Sequence, residues 1–450
     1  MTSHFDTIVV GGGCAGLSCA TALIESGQNN ILLLEKKSFL GGRTHSYLDQ
    51  KSGEMLDNGQ HLFLGAYHET KVFLDRISSL DELCFRQHYA TILRGKKFGR
   101  AILRPKELPA PFHMSFSMMG FKALTIYERV KLLGLLRAFF YTKKQLGRLS
   151  VKELLDRCGQ SQSSLINFWE PLVLATLNAE LKEARADFLM EVLTKGFFSS
   201  YSNALAGLSR VPLSELIALP AKTFIDGSGA YVQEGESVIS IEDYREQPLL
   251  LHAKSGRKYT CDQLVLAIPP GSMKTLSLYS DSGLDRHIET MPRLQASPIL
   301  SYHFWVDQEI FSQAYMGFVD HEIQWIFNLS AYAKPKQFLY TCIISARAQL
   351  MGKTRQEIQT LLQSLIREYF PDACAKVLRV CPSHQAKATW NLKVGDAKIS
   401  NMTVSPRVFF AGDWVGTDLP CTIEAAVQSG HQAAQLILKS FRNQKNIDQS

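Results

Sequence analysis

The chain has 450 residues with 46% hydrophobic and 10% aromatic content, enough to bury a large core and too apolar for a disordered segment. Lysine and arginine outnumber aspartate and glutamate by 49 to 42, and this mild +7, with no basic run interleaved with aromatics, excludes a nucleic-acid groove. Nine cysteines with no C-x-x-C and no His/Cys cluster at metal spacing exclude a disulfide framework and a zinc site, and point to reduced thiols in the cytoplasm.

The chain opens on Asp6-Thr-Ile-Val-Val-Gly11-Gly-Gly13-Cys-Ala-Gly16, an apolar run that ends in G-x-G-x-x-G and leads into Leu17, Ala20, Leu23 and Ile24. This pattern predicts strand, tight turn and helix, with a second strand over residues 31 to 35: a dinucleotide-binding unit. Gly11 permits the turn, Gly13 lets backbone approach a pyrophosphate, and Gly16 lets helix and strand pack closely, while the helix N-terminus offers N–H groups to the anion. Glu35 is placed to accept from ribose hydroxyls and repels a 2′-phosphate, which favours FAD or NAD over NADP. The strand begins within about six residues of the first methionine, which leaves no room for a signal peptide. No apolar segment reaches the ~18 residues of a membrane-crossing helix, so any membrane contact is expected to be peripheral.

Gly41-Gly42-Arg43 comes next. With it the chain resembles the flavoprotein superfamily of amine oxidases, phytoene desaturases and protoporphyrinogen oxidases. The resemblance implies an α/β fold: a discontinuous Rossmann-type FAD-binding domain, and an α+β substrate domain built on an antiparallel sheet with a helical part. It implies FAD, with Gly42 and Arg43 near the pyrophosphate. It also carries Asp57-Asn-Gly59-Gln60-His61 past the flavin ring, which makes Gly59, Gln60 and His61 candidates.

A helix is expected over residues 68 to 80 and a hairpin over 91 to 103, before Leu108-Pro-Ala-Pro-Phe-His113 breaks the pattern. Residues 114 to 141 are rich in Met, Phe and Leu, with Lys122, Arg129, Lys131 and Arg137 interspersed and Glu128 the only acid. Two amphipathic helices are expected there, whose apolar faces either fill the core or dip into a bilayer while the cations meet anionic head groups. Helices follow over 151 to 158 and 165 to 178, the second with Glu170 in its midst, and two more run to about Leu219. Residues 223 to 241 are expected to return to the first sheet, and the resemblance brings Val238 to the adenine end. Residues 262 to 270 read as a buried strand stopped by prolines. Strand-like runs at 299–306, 323–329 and 338–345 and a helix at 355–369 form the antiparallel part. Near the end, residues 407 to 414 form a strand that closes on Gly412-Asp413, and a helix starts at Ile423. The resemblance gives Asp413 a ribityl hydroxyl and aims the helix N-terminus at the flavin ring, where its dipole favours negative charge. The expected boundaries are 1–75, 205–280 and 391–445 for the FAD-binding domain, and 76–204 with 281–390 for the substrate domain, with a membrane-facing part at 108–141.

The resemblance sharpens at Asp57-Asn-Gly-Gln-His61-Leu-Phe-Leu-Gly-Ala-Tyr67, Leu108-Pro-Ala-Pro-Phe-His113, Phe168-Trp-Glu-Pro-Leu-Val-Leu-Ala175 and Ala411-Gly-Asp-Trp-Val-Gly-Thr-Asp-Leu-Pro-Cys-Thr-Ile-Glu424. These look like the hydroxysqualene dehydroxylases of bacterial hopanoid pathways, with Asp418, Cys421 and Ala425 as departures from the pattern. The implied reaction converts hydroxysqualene to squalene, with hydride from reduced flavin replacing an allylic hydroxyl. Such a group needs a proton or a hydrogen bond as it leaves. The allylic cation needs a dry pocket with aromatic faces. His61 is the first candidate acid because its unperturbed pKa is near neutral, although it also reads as a structural histidine. Glu170, a buried carboxyl that apolar surroundings would hold protonated, is the second, or else a helix end before Pro171. Tyr67 is the third. Trp169 and Trp414 line the pocket or belong to the core. The expected partners are a polyprenoid, an anionic membrane at the inner face of the cytoplasmic membrane, and an unidentified electron donor. A polyprenoid desaturase or isomerase, an amine oxidase, and a non-redox isoprenoid carrier are the other readings. The intact glycine and acid positions argue against the carrier.

Overall fold

The strand Ser3–Val10 (β1), the helix Cys14–Glu25 (α1) and the strand Ile31–Glu35 (β2) form where the apolar pattern predicts them. The computed structural model that carries them describes residues 3–86, 90–331 and 337–448. α1 ends because Gly27 takes φ +89 and the Gln28 N–H bonds to the Leu23 carbonyl, a left-handed stop that glycine accepts without strain. β1 lies between β2 and Lys258–Leu266, parallel to both, and Ile8, Val9 and Leu33 have no exposed surface. Val408–Phe410 adds to the far half of Lys258–Leu266, also parallel. Every central strand is thus covered on both faces, as parallel sheets require.

Residues 223 to 241 return to this sheet in two pieces rather than one. The helix Leu219–Gly227 is followed by Tyr231–Glu234, which joins the edge beside β2, and by Val238–Asp243, next to the opposite edge strand Ser277–Ser280. Five strand spacings separate those positions, ~24 Å in a flat sheet, while the chain from 234 to 238 reaches at most ~14 Å. The antiparallel meander of Val238–Asp243, Leu249–Ala253 and Lys258–Leu266 therefore curls back over the strand ends. This brings Val238 close to the end of β2.

A second sheet has seven strands in the order Val377–Asn391, Gln295–Val306, Phe338–Ser345, Trp325–Asn328, Tyr315–Phe318, Thr91–Gly95 and Gly99–Leu103, antiparallel except where Tyr315–Phe318 meets Thr91–Gly95. The helix Arg355–Tyr369 covers one face, its start fixed by a capping box between Thr354 and Glu357. Ile358, Leu362 and Leu365 pack there on Leu300, Tyr302 and Phe304. The opposite face, with Trp305, Tyr315, Phe327 and Ile343, meets Leu56, Ala206 and Leu208 from the other half of the molecule.

A helical region packs against the Thr91–Gly95 and Gly99–Leu103 side of the second sheet. Phe112–Met119, Ile126–Lys131 and a tighter 3₁₀ stretch, Leu132–Phe140, replace the two helices expected at 114–141. The stretch has both a core face and an exposed apolar face. Met114, Phe121, Leu124 and Leu135 join the core of this region, whereas Ile126 is 77% and Phe140 88% exposed.

Candidate functional site

At the end of β1, Gly11 takes φ +113, and a Cβ there would strike the Ala267 carbonyl oxygen at 2.4 Å. A Cβ on Gly16 would come within 1.9 Å of the Gly11 oxygen, so this position admits only glycine. Gly13 is different, because a Cβ on it would meet nothing within 4 Å. Beside that space no side chain caps α1, whose first N–H groups stay available to an anion. Gly42 closes the other side, with φ +61 and its missing Cβ 3.2 Å from the Gly13 Cα. A pyrophosphate fits this cradle.

Glu35 is buried at the tip of β2, where its carboxylate accepts the Gly12 N–H at 2.7 Å and the Lys37 N–H at 2.9 Å. Each oxygen keeps a lone pair for a ribose hydroxyl. The Glu236 N–H bonds to the Glu35 carbonyl at 2.9 Å, which sets Val238 two residues from the same corner. Arg43 then reaches across the site. It donates to Asp413 Oδ1 at 2.7 Å and to the Ala388 carbonyl at 2.5 Å, joining the N-terminal motif to the C-terminal one over 370 residues. Gly412 is held by its N–H bond to Ser429 Oγ at 2.8 Å. Of the three departures, Asp418 pairs with Lys143 at 2.5 Å and Lys398 at 2.6 Å. Partial burial pushes its carboxyl up, but the two ammonium groups hold it at about 2. The Cys421 thiol donates to the Trp390 carbonyl at 3.2 Å, and Ala425 is fully buried.

Residues 57 to 61 cross between the two sheets. The Asp57 side chain accepts from Ser46 Oγ at 2.7 Å and from the Leu213 N–H at 2.9 Å, and Gln60 Nε2 lies 3.4 Å from its other oxygen. Burial first, against these donors, raises its carboxyl to about 6. Asn58 Oδ1 accepts from Gln385 Nε2 at 2.7 Å and Ser383 Oγ at 3.1 Å. His303 Nε2 donates to the Asp57 carbonyl at 2.8 Å, which leaves Nδ1 to accept from Thr341 Oγ1 at 2.8 Å. Gly59 sits against the second sheet, where a Cβ would be 3.1 Å from Ser301 Oγ.

His61 is half-buried and makes no hydrogen bond among the described residues. Burial, and then the Arg43 charge, lower its imidazole to about 4, so the near-neutral value expected from sequence is corrected. At pH 7 it is a neutral N–H donor. Glu170 is also corrected. Its carboxylate is 36% exposed and pairs with Arg347 at 3.1 Å, in mid-helix where the π turn Leu165–Trp169 runs directly into Glu170–Leu177, so it is neither a buried acid nor a helix end. Tyr67 is half-buried, and its hydroxyl, which bonds to Thr422, is pushed up by burial and by the Glu424 charge. Trp169 and Trp414 both belong to cores: the first bonds to Gln160 Oε1 at 3.1 Å, and the second packs on Phe410.

Other aromatic side chains gather in the core beside the segment of Leu62. Tyr315, Trp325, Phe327 and Trp305 lie on the face of the second sheet that meets Leu56 and Leu62, with Tyr315 and Phe327 rings 5.7 Å apart. The signal in the sequence is alternation: Trp325 and Phe327 share one face of a strand.

The family model of flavin-containing amine oxidoreductases matches residues 14–438. A hydroxysqualene dehydroxylase of Zymomonas mobilis is 24% identical, over 96% of this chain and 99% of its own. A 15-cis-phytoene desaturase of Glycine max is 23% identical, over 96% of this chain and 79% of its own. Among solved structures, a putrescine oxidase superposes with a TM-score of 0.74 at 15% identity over 98% of this chain and all of its own. Cyclohexylamine oxidase of Brevibacterium oxydans gives 0.73 at 14%, over 97% and 99%. These likenesses agree on the fold, an α/β FAD-binding sheet with a largely antiparallel substrate sheet. With an FAD cradle of this geometry and a family model spanning nearly its whole length, the chain is an FAD-dependent oxidoreductase and belongs to the flavin-containing amine oxidoreductase family.

Proposed function

We propose that the protein removes the allylic hydroxyl of hydroxysqualene to give squalene, working at the surface of an anionic membrane. The observation that carries this reading is the aromatic face of Tyr315, Trp325 and Phe327 opposite the segment of His61, which suits an apolar chain and a transient carbocation. End-to-end similarity to hydroxysqualene dehydroxylases supports it. Reduced FAD supplies the hydrogen and electron pair that replace the hydroxyl. The hydroxyl would depart as water with a proton taken from solvent, balanced by the second hydrogen that fully reduced FAD gives up, while neutral His61 only hydrogen-bonds to the oxygen.

Each chain residue then has a role. Gly11, Gly13 and Gly16 admit the pyrophosphate, Glu35 and Val238 hold the adenosine end, and Gly42, Arg43, Gly412 and Asp413 hold the middle of the cofactor. Gly59, Gln60 and Ile423 flank the ring. His61 donates its N–H to the leaving oxygen and Tyr67 backs it with a phenol that stays protonated, while the aromatic sheet face keeps water out. The membrane reading rests on residues 108–140. Glu128, the one acid of 114–141, is buried in a capping box with Thr125, so the exposed charges within 114–141 that accompany Phe116, Ile126, Leu133 and Phe140 are all cationic. Among the described residues no helix is long and apolar enough to cross a membrane.

Similarity to phytoene desaturases at 23% favours a second reading, a desaturase that moves hydrogen from polyprenoid to flavin. One experiment separates the two. Protein reduced in deuterated buffer is expected to convert hydroxysqualene to squalene with one deuterium at the carbon that lost oxygen. Unchanged hydroxysqualene would refute the dehydroxylase.

A further inference from the structure

The loop from Asp413 to Cys421 leaves the cofactor site and returns to it. Asp413 at one end pairs with Arg43, and Cys421 at the other lies beside the same two side chains. Halfway along, the Gly416 N–H bonds to the Ile399 carbonyl at 2.8 Å. Asp418 follows, and each of its carboxylate oxygens takes one ammonium group, Lys143 on Oδ2 at 2.5 Å and Lys398 on Oδ1 at 2.6 Å.

The two lysines come from different parts of the chain. Lys143 opens the short helix Lys143–Leu146 of the helical region, whereas Lys398 follows the strand Val377–Asn391. Alternating charges continue beyond each of them. Lys143 lies 3.7 Å from Glu191, which pairs with Lys195 at 3.1 Å, while Lys398 lies 3.4 Å from Asp187, which pairs with Arg185 at 2.9 Å. The helical region is also docked on residues 395–396 without Asp418, because the Gly395 N–H bonds to the Gly147 carbonyl at 2.9 Å and Arg185 donates to the Asp396 carbonyl at 2.7 Å. Among the described residues, Asp418 alone carries this network onto the loop. Loss of its charge therefore leaves that docking in place and frees the loop.

We propose that Asp418 is a positioning residue for FAD: it pins the loop to the helical region, so that Asp413 and the start of the helix Ile423–Asp448 keep their places at the cofactor. This role is independent of which substrate the protein takes.

Asp156 supplies the control, since it pairs with Lys152 at 2.7 Å on the same helical region, is similarly exposed and stands outside the network. In FAD-loaded protein, Asp418→Asn is expected to raise the FAD dissociation constant about threefold to tenfold, the scale of one or two half-exposed ion pairs, read as flavin fluorescence released on dilution. It should also alter the visible circular dichroism of the bound flavin and speed hydrogen exchange over 412–421, but not over 185–192. Asp156→Asn, which removes the same charge, is expected to change none of these. Lys143→Met should weaken FAD by a smaller factor and add nothing to Asp418→Asn, because the two act through one contact. High salt should narrow the gap between Asp418→Asn and the native chain. If Asp418→Asn does not fold, Lys143→Met tests the same contact from its other side. An unchanged dissociation constant, an equal loss in Asp156→Asn, additive losses in the double variant, or exchange that rises over 185–192 as well overturns the proposal.

Discussion

Arg43 and Asp413 pair across the proposed cofactor site and join the N-terminal motif to the C-terminal one. Removing Asp413 leaves a largely enclosed guanidinium without its partner, and hydrogen bonds to charged groups are worth about 1.5–3 kcal/mol. Asp413→Ala is therefore expected to weaken FAD retention by roughly tenfold to a hundredfold, read as flavin absorbance after gel filtration. His303 gives a pH signature. Its buried ring is lowered by desolvation to about 4, so as pH falls the unfolded chain takes the proton first. The stability it contributes is full above about 6.5 and is lost toward 4. Asp57, raised to about 6, works in the opposite sense. Urea unfolding should show His303→Gln destabilising more at pH 7 than at pH 5, and a constant gap would contradict the assignment. For the acid, His61→Asn is expected to lower kcat about 10²-fold. Glu170→Gln should leave kcat unchanged, because a half-exposed ion pair is worth at most ~1 kcal/mol. Sequence made Gly11, Gly13, Gly16 and Glu35 legible because their spacing is local. It could not show that Arg43 faces Asp413 or that Arg347 neutralises Glu170, since those partners lie 370 and 177 residues apart.

Glu424 shows how elements are locked together. It opens the C-terminal helix Ile423–Asp448, yet its carboxylate caps a different helix, His68–Arg76, taking the Glu69 N–H at 3.0 Å, the Thr70 N–H at 2.9 Å and the Thr70 hydroxyl at 2.7 Å. This fixes the start of that helix and, one residue earlier, Tyr67. Losing such a cap costs about 1–2 kcal/mol, so Glu424→Ala should lower the melting temperature by about 1–2 °C in a chain of this length and loosen the Tyr67–Thr422 contact. An unchanged melting temperature would sink this account of the cap. At this scale the sequence was most legible where caps and periodicity agree. Arg355–Tyr369 falls on its expected bounds because Thr354 and Glu357 box its start and its apolar stripe is unbroken. The split of residues 223 to 241 between opposite sides of one sheet was not legible, because curling of the meander depends on tertiary packing rather than on local pattern.

Over the whole molecule, the proposed function rests on two faces. One is the apolar surface of 108–140, and the other is the aromatic side of the second sheet, which the helical region separates from solvent. Replacing Lys122, Arg129, Lys131 and Arg137 with Gln is expected to release the protein from anionic liposomes, and raising salt should do the same to the native chain. Unchanged co-sedimentation would refute the electrostatic part of the membrane reading. The most direct measurement follows the flavin spectrum of photoreduced protein mixed anaerobically with hydroxysqualene. Return of the oxidised spectrum at a rate set by hydroxysqualene concentration, with an equal yield of squalene, is the predicted result. A flavin that stays reduced, while oxidised protein is bleached by a polyene precursor or an amine, would contradict it.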